Sequence, residues 1–124
     1  MKPMVIIIML LGTLFLPIHG PAQLPHVGIT MDMHEPFYSP SVATLYVGQT
    51  IQWYNQSGMP HTITHDGCIR RGACAFESGP VSPGNHFTLA HLTPGTYSYH
   101  CSIHPFMRGR VIVKGSMPRY SHDL

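Results

Sequence analysis

Residues 97–107, with the sequence YSYHCSIHPFM, combine a strand pattern with side chains that can bind a metal. Tyr97 and Tyr99 alternate with polar residues, and this period of two predicts a strand that ends at Cys101. His104 and Met107 follow at the spacing Cys-x2-His-x2-Met, which places both on the loop after the strand. The segment therefore predicts a β-strand whose end presents a thiolate, an imidazole and a thioether.

A second histidine lies forty residues earlier, in the segment MPHT at residues 59–62. With it the donor set becomes one thiolate, two imidazoles and one thioether, which is typical of a blue-copper centre. Zinc is the alternative metal, but a zinc site gives no role to the methionine. A two-copper electron-transfer centre needs two cysteines on the ligand loop, and this loop has one. The predicted ligands of a single Cu(I)/Cu(II) ion are His61, Cys101, His104 and Met107.

Alternating apolar residues predict further strands on both sides of this segment. The patterns cover residues 43–47, 51–54, 62–64, 86–89 and 111–113, and turn-forming Gly and Pro residues separate most of them. No window of a dozen residues shows the 3.6-residue period of an amphipathic helix. Six or more short strands in about 100 residues predict an all-β fold, a Greek-key β-sandwich of antiparallel or mixed sheets with little or no helix.

Composition limits the classes of function. The 124 residues allow one domain of ordinary size. Only 10% of the residues are charged, and the formal net charge is +2 when the ten histidines are counted as neutral. The chain has no run of basic residues, so a nucleic-acid partner is not expected. The ten histidines point to metal binding.

Residues 1–22 have the three parts of a secretory signal peptide. Lys2 supplies a positive charge, residues 5–16 form an apolar stretch, and the small residue Ala22 ends the segment. We expect cleavage after Ala22, which leaves residues 23–124 as a single domain in the periplasm or secreted. The apolar stretch is shorter than the roughly 20 residues that span a bilayer, so no stable membrane insertion is expected after cleavage.

The chain resembles the cupredoxins, the type 1 blue copper proteins, and most closely the amicyanins and plastocyanins. The resemblance covers residues 27–114 and is carried by a pattern at residues 40–55, by His61, and by the run GTYSYHCSIHPFMRG at residues 95–109. It implies the same four copper ligands. It also implies a one-electron carrier, not an enzyme, that works between a donor dehydrogenase and an acceptor cytochrome or oxidase. We expect such a carrier to be a monomer.

Two features depart from the pattern of the amicyanins. Thr62 follows the first histidine ligand, where amicyanins have Asn. Cys68 and Cys74 are additional cysteines, with five residues between them in a turn-rich segment of an exported chain. A disulfide between these two cysteines is the leading hypothesis. A second metal site that includes His65 is the alternative.

Two other classes of function stay open. His100 directly precedes the cysteine ligand, and in copper nitrite reductases a histidine at that position binds a second, catalytic copper. Those enzymes build the catalytic site between two domains, whereas residues 23–124 supply one, and strand alternation places His100 on the outer face, away from the ligands. A copper carrier or store is the other alternative, with scattered residues such as Met31 and His34 as extra ligands.

An exposed apolar patch is expected around His104. Pro105 and Phe106 follow this ligand, and Met59 and Pro60 precede the first histidine ligand. Loops at one end of a β-sandwich converge, so these residues should meet at the surface. The alternative is that Phe106 and Met59 are buried in the core. A protein of low charge cannot rely on electrostatic steering, and a small apolar surface suits a transient redox partner. The predicted docking residues are Met59, Pro60, Pro105 and Phe106.

Overall fold

The computed structural model describes residues 3, 12–20, 24–70 and 73–119. Within these ranges the chain forms eight strands and one short 3-10 helix, Asp66–Ile69. The strands are β1 Val27–Met31, β2 Tyr38–Ser39, β3 Val42–Tyr46, β4 Ile51–Asn55, β5 Thr64–His65, β6 His86–Leu89, β7 Gly95–His100 and β8 Arg108–Lys114. The predicted all-β fold with little helix is confirmed.

The strands form two mixed four-stranded sheets that pack as a sandwich. The first sheet has the order β2-β1-β4-β6, and the second has the order β3-β8-β7-β5. The pairs β1–β4 and β3–β8 are parallel, and the other pairs are antiparallel. Strands that are neighbours in a sheet are often distant in sequence, so the connections cross between the sheets as in Greek-key folds.

Some strand boundaries differ from the sequence prediction. Val47 lies beyond the end of β3, and Gly48 makes the turn with a φ of +93°, which favours glycine. Thr62 and Ile63 are buried but precede β5 and are not part of it. Strands β1 and β2 were not predicted. Gly28 weakens the alternating pattern of β1, which is held by its non-local pairing with β4.

The core lies between the two sheets and is rich in aromatic rings. The indole Nε1–H of Trp53 donates a hydrogen bond of 3.1 Å to the hydroxyl of Tyr99, and the two rings meet edge to face. Tyr38 packs edge to face on the other side of Tyr99, with ring centroids 4.8 Å apart. Gly109 faces Tyr99 across the β7–β8 pair. The phenol ring occupies the space that a side chain at position 109 would need.

A disulfide joins Cys68 and Cys74 and closes the loop after β5. This agrees with the disulfide hypothesis. The alternative metal site used His65, but its Nδ1 atom accepts a hydrogen bond of 3.1 Å from the backbone N–H of Ala75. A backbone N–H of this loop thus holds the imidazole of His65.

We expect the purified protein to contain this disulfide and one free thiol, that of Cys101. Mass spectrometry after alkylation of denatured, unreduced protein should show a single alkylated cysteine. Replacing Cys68 and Cys74 together by Ser should lower the free energy of unfolding by about 2 kcal/mol, because the denatured chain loses a closed loop. Three alkylated cysteines in the wild-type protein would contradict the prediction.

The N-terminal prediction remains untested. The proposed cleavage position after Ala22, and most of the apolar stretch before it, lie outside the described residues. No helix in the described part of the chain is both long enough and apolar enough to cross a membrane.

Candidate metal centre

The ligand loop is held by the two strands that flank it. Cys101 directly follows β7, and Met107 directly precedes β8. The antiparallel pairing of β7 with β8 brings the ends of the loop together. The backbone N–H of Cys101 donates to the carbonyl of Met107 at 3.0 Å, and the N–H of Met107 donates to the carbonyl of His104 at 2.9 Å. The Cys-x2-His-x2-Met spacing therefore folds into a closed turn.

The first histidine comes from a different part of the fold. His61 forms an isolated bridge with Val81 and is fully buried. Its Nδ1 lies 3.2 Å from Nδ1 of His104 and 3.9 Å from Sγ of Cys101. The distance from His104 Nδ1 to Cys101 Sγ is 3.8 Å, so the three donor atoms form a triangle. Met107 is also fully buried. The fold brings together donors that are far apart in sequence.

The size of this triangle fits a transition-metal ion. From the three sides of 3.2, 3.8 and 3.9 Å, the point equidistant from the three atoms lies about 2.1 Å from each. Bonds from such ions to imidazole nitrogen or thiolate sulfur are about 2.0–2.3 Å long. A soft thiolate, two imidazoles and a buried thioether form the donor set of a blue-copper site.

Backbone donors contact the sulfur of Cys101, and burial favours a neutral ring at His61. The sulfur accepts backbone N–H groups from Thr62 at 3.3 Å and from His104 at 3.4 Å, and such donors stabilise negative charge. Burial lowers the pKa of His61, and the neighbouring His104 lowers it further. His61 is thus in the neutral form that binds a metal ion.

Thr62 ties the segment of the first ligand to the ligand loop. Its hydroxyl accepts the backbone N–H of Ser102 at 2.7 Å, and its carbonyl accepts the hydroxyl of Tyr38 at 2.6 Å. Burial raises the pKa of Tyr38, so this donor stays protonated. From the sequence alone, Thr62 is only a difference from the amicyanins. The structure shows that its side chain makes the link between the two ligand segments.

Comparison with known proteins agrees with this geometry. Residues 25–114 match the model of the copper binding proteins of the plastocyanin/azurin family. The chain belongs to this family. As a cupredoxin, it has copper as its cofactor, and the type 1 copper site is formed by His61, Cys101, His104 and Met107. The copper prediction is confirmed.

Sequence and structural relatives of this cupredoxin include amicyanins and plastocyanins. It is 32% identical to amicyanin of Paracoccus denitrificans over 93 residues, which is 75% of this chain and 70% of that protein. It is 29% identical to plastocyanin of Prochlorothrix hollandica over 109 residues, which is 80% of this chain and 79% of that protein. A purple cupredoxin from Nitrosopumilus maritimus superposes with a TM-score of 0.61 at 30% identity, covering 71% of this chain and 99% of that one. The Cu(I) form of an amicyanin mutant superposes with a TM-score of 0.60 at 28% identity, covering 74% of this chain and 87% of that one.

The four predicted docking residues are all exposed beside the copper site. Phe106 is 61% exposed and Met59 is 44% exposed, so the alternative that these two side chains are buried in the core is wrong. Pro60 and Pro105 are also exposed. The ring of Phe106 lies 5.9 Å from that of His104 and packs edge to face on Phe37, a contact that the sequence did not predict. We call Met59, Pro60, Pro105 and Phe106 the apolar patch.

His100 is buried, although it alternates with the core residue Tyr99. Only 6% of His100 is exposed, because the 3-10 helix after β5 covers it. Its Nδ1 lies 2.6 Å from a carboxylate oxygen of Asp66, whose second oxygen accepts a hydrogen bond from Arg108. Strand alternation does not reveal this covering segment, since the segment comes from elsewhere in the sequence.

Proposed function

We propose that this protein carries single electrons between two larger redox proteins outside the cytoplasm. The family to which it belongs consists of electron carriers, and its amicyanin and plastocyanin relatives act with redox partners. When bound, copper supplies a one-electron change between Cu(II) and Cu(I). The main observation behind this proposal is that the ligand loop between β7 and β8 and the buried His61 already hold the donor atoms at metal-binding distances. In addition, His104 lies at the edge of the apolar patch.

The chain's own residues would perform two tasks in this role. The first is to keep the donors in place. The ligand loop does so by backbone hydrogen bonds, and the Thr62 hydroxyl does so by accepting the backbone N–H of Ser102. A site that is held in this way needs little rearrangement when the charge of the metal changes. The second task is contact: the half-buried imidazole of His104 leads from the site to a surface that excludes water when a partner docks.

The location and the partners are also part of the proposal. We propose that residues 1–22 direct export and that residues 23–124 work in the periplasm, as a monomer, between a donor dehydrogenase and an acceptor cytochrome or oxidase. An apolar contact surface of four side chains is small, which suits a complex that forms and separates quickly.

Repeated redox cycling tests the proposed carrier role. Copper-loaded protein should be bleached by ascorbate, regain its absorption and EPR spectrum with ferricyanide, and keep its copper through many cycles in the presence of a chelator. A copper carrier or store would lose its copper to the chelator. A nitrite-reductase subunit would bind a second copper with a different EPR signal and would consume nitrite. Either result would contradict the proposal.

The apolar patch should control electron transfer between protein molecules. We expect Met59→Lys to slow the electron self-exchange between Cu(I) and Cu(II) forms at least about tenfold at low salt, because two like charges then meet in the contact. Line broadening in NMR spectra of mixed oxidation states measures this rate without knowledge of the natural partner.

Val47→Lys is the matched control for this prediction. Val47 has the same exposed fraction as Met59, 44%, but follows β3 at the end of the sandwich opposite the ligand loop. The control should keep the wild-type self-exchange rate, and reoxidation by a small inorganic oxidant should differ little between the two variants. Equal self-exchange rates for both variants would show that the docking surface lies outside the apolar patch.

A further inference from the structure

We propose that Ser57 is a positioning residue for the copper site, because its hydroxyl fixes the tautomer of His61 that leaves Nδ1 free to bind the metal. Oγ of Ser57 lies 2.7 Å from Nε2 of His61, on the side of the ring opposite the donor atom. This inference rests on the copper centre and not on the proposed electron-carrier role. Sequence reasoning assigned no function to Ser57.

Hydrogen bonds fix the orientation of the side-chain amide of Asn55, the last residue of β4. Its Nδ2 lies 2.7 Å from the carbonyl oxygen of Met59 and 2.9 Å from that of Val81. Both carbonyls can only accept hydrogen bonds, so the NH₂ group must face them. The amide oxygen Oδ1 therefore faces Ser57, where it accepts the backbone N–H at 3.0 Å.

The orientation of Asn55 determines where the hydroxyl proton of Ser57 points. Oγ lies 2.7 Å from Oδ1 of Asn55 and 3.0 Å from the carbonyl oxygen of Met59. Neither oxygen can donate a proton, so the short contact with Oδ1 needs the proton of the hydroxyl group. Ser57 has only this one proton. It is therefore not available for His61.

The other contacts of the Ser57 oxygen must then be hydrogen bonds that it accepts, one from the backbone N–H of Met59 at 3.3 Å and one from His61. The only group that can supply the proton to the 2.7 Å contact is Nε2–H of His61. A neutral imidazole carries one N–H, so Nδ1 keeps a lone pair. That lone pair is on the atom that lies 3.2 Å from His104 Nδ1 and 3.9 Å from the Cys101 sulfur. The polar chain Asn55–Ser57–His61 thus selects the metal-binding tautomer before any metal arrives.

Burial makes this selection strong. Asn55 and His61 have no exposed surface, and Ser57 is buried as well. Without the hydroxyl, Nε2–H would lose its acceptor, and the ring could turn or exchange its proton between the two nitrogens. Loss of a hydrogen-bond partner that orients a metal ligand typically weakens metal binding by about 10–100-fold.

Three variants test the proposal through copper affinity. For Ser57→Ala, chelator competition should show copper affinity reduced by about 10–100-fold, with a shifted or split Cu(II) EPR signal. Ser57→Thr keeps a hydroxyl and should restore both properties to near the wild type. Tyr97→Phe is the control for general destabilisation, since it removes a hydroxyl that hydrogen-bonds to Thr93 on another part of the surface, and it should leave copper affinity and EPR spectrum unchanged. Wild-type affinity and EPR spectrum in Ser57→Ala would overturn the proposal.

A measurement on the wild-type protein keeps the proposal testable if Ser57→Ala does not fold. The ¹⁵N–¹H spectrum of histidine rings in the diamagnetic Cu(I) protein, and in the metal-free protein, reports which ring nitrogen carries the proton. We expect His61 to carry it on Nε2 in both forms, with slow exchange against solvent. A proton on Nδ1 in the metal-free protein would show that the Ser57 network does not select the tautomer.

Discussion

Replacing Cys101 by Ser should abolish the intense absorption that arises from thiolate-to-copper charge transfer. The hydroxyl of Ser is a poor substitute because the colour requires a sulfur–copper bond, and Cys101 supplies the thiolate of the site. The fold should survive, since Ser fits the buried position and the core around Trp53 and Tyr99 is unchanged. Absorption spectroscopy of copper-loaded protein measures the first effect, and circular dichroism checks the second.

The double variant Cys68→Ser, Cys74→Ser is the matched control. It removes the sulfur atoms of the other two cysteines and leaves the copper ligands unchanged. This variant should remain blue, though less stable. A Cys101→Ser protein that kept its blue colour would end the assignment of Cys101 as the thiolate ligand.

Gly109→Ala should destabilise the protein more than any ordinary surface substitution. A Cβ atom at this position would lie well inside van der Waals contact of Cζ and the hydroxyl of Tyr99. The phenol ring is rigid and fully buried between Trp53 and Tyr38, so it cannot move aside without loss of its hydrogen bond to the indole. We expect the overpacking and the lost hydrogen bond to cost about 3 kcal/mol together. The melting temperature should fall by more than about 10 °C.

Gly28→Ala separates this steric effect from the general effect of a glycine replacement. Gly28 also lies in a strand, β1, but a Cβ atom there would meet nothing within 4 Å. This variant should keep a melting temperature within a few degrees of the wild type. Equal melting temperatures for the two variants would show that Tyr99 can be displaced at little cost.

The sequence predicted most of the site because the chemistry is concentrated in one short segment. Cys101, His104 and Met107 lie within seven residues, and alternation in β7 indicates where the strand ends. The fourth ligand, His61, could be chosen by its position at the start of a predicted strand and by the family resemblance. The weak strands β1 and β2 escaped prediction because their pairing partners, not their own patterns, make them strands.

The sequence by itself determined the class of fold, the metal and the set of ligands, because donor type and local strand period are properties of neighbouring residues. Only the tertiary structure decided the surroundings of those ligands. Thr62 links two ligand segments, Ser57 meets the far side of the His61 ring, and Asp66 covers His100. The Thr62 and Asp66 contacts join residues more than thirty positions apart. The Ser57 contact depends on the amide of Asn55, which the distant carbonyl of Val81 helps to orient. No local pattern encodes these surroundings, since they depend on segments that meet only when two sheets and their loops pack together.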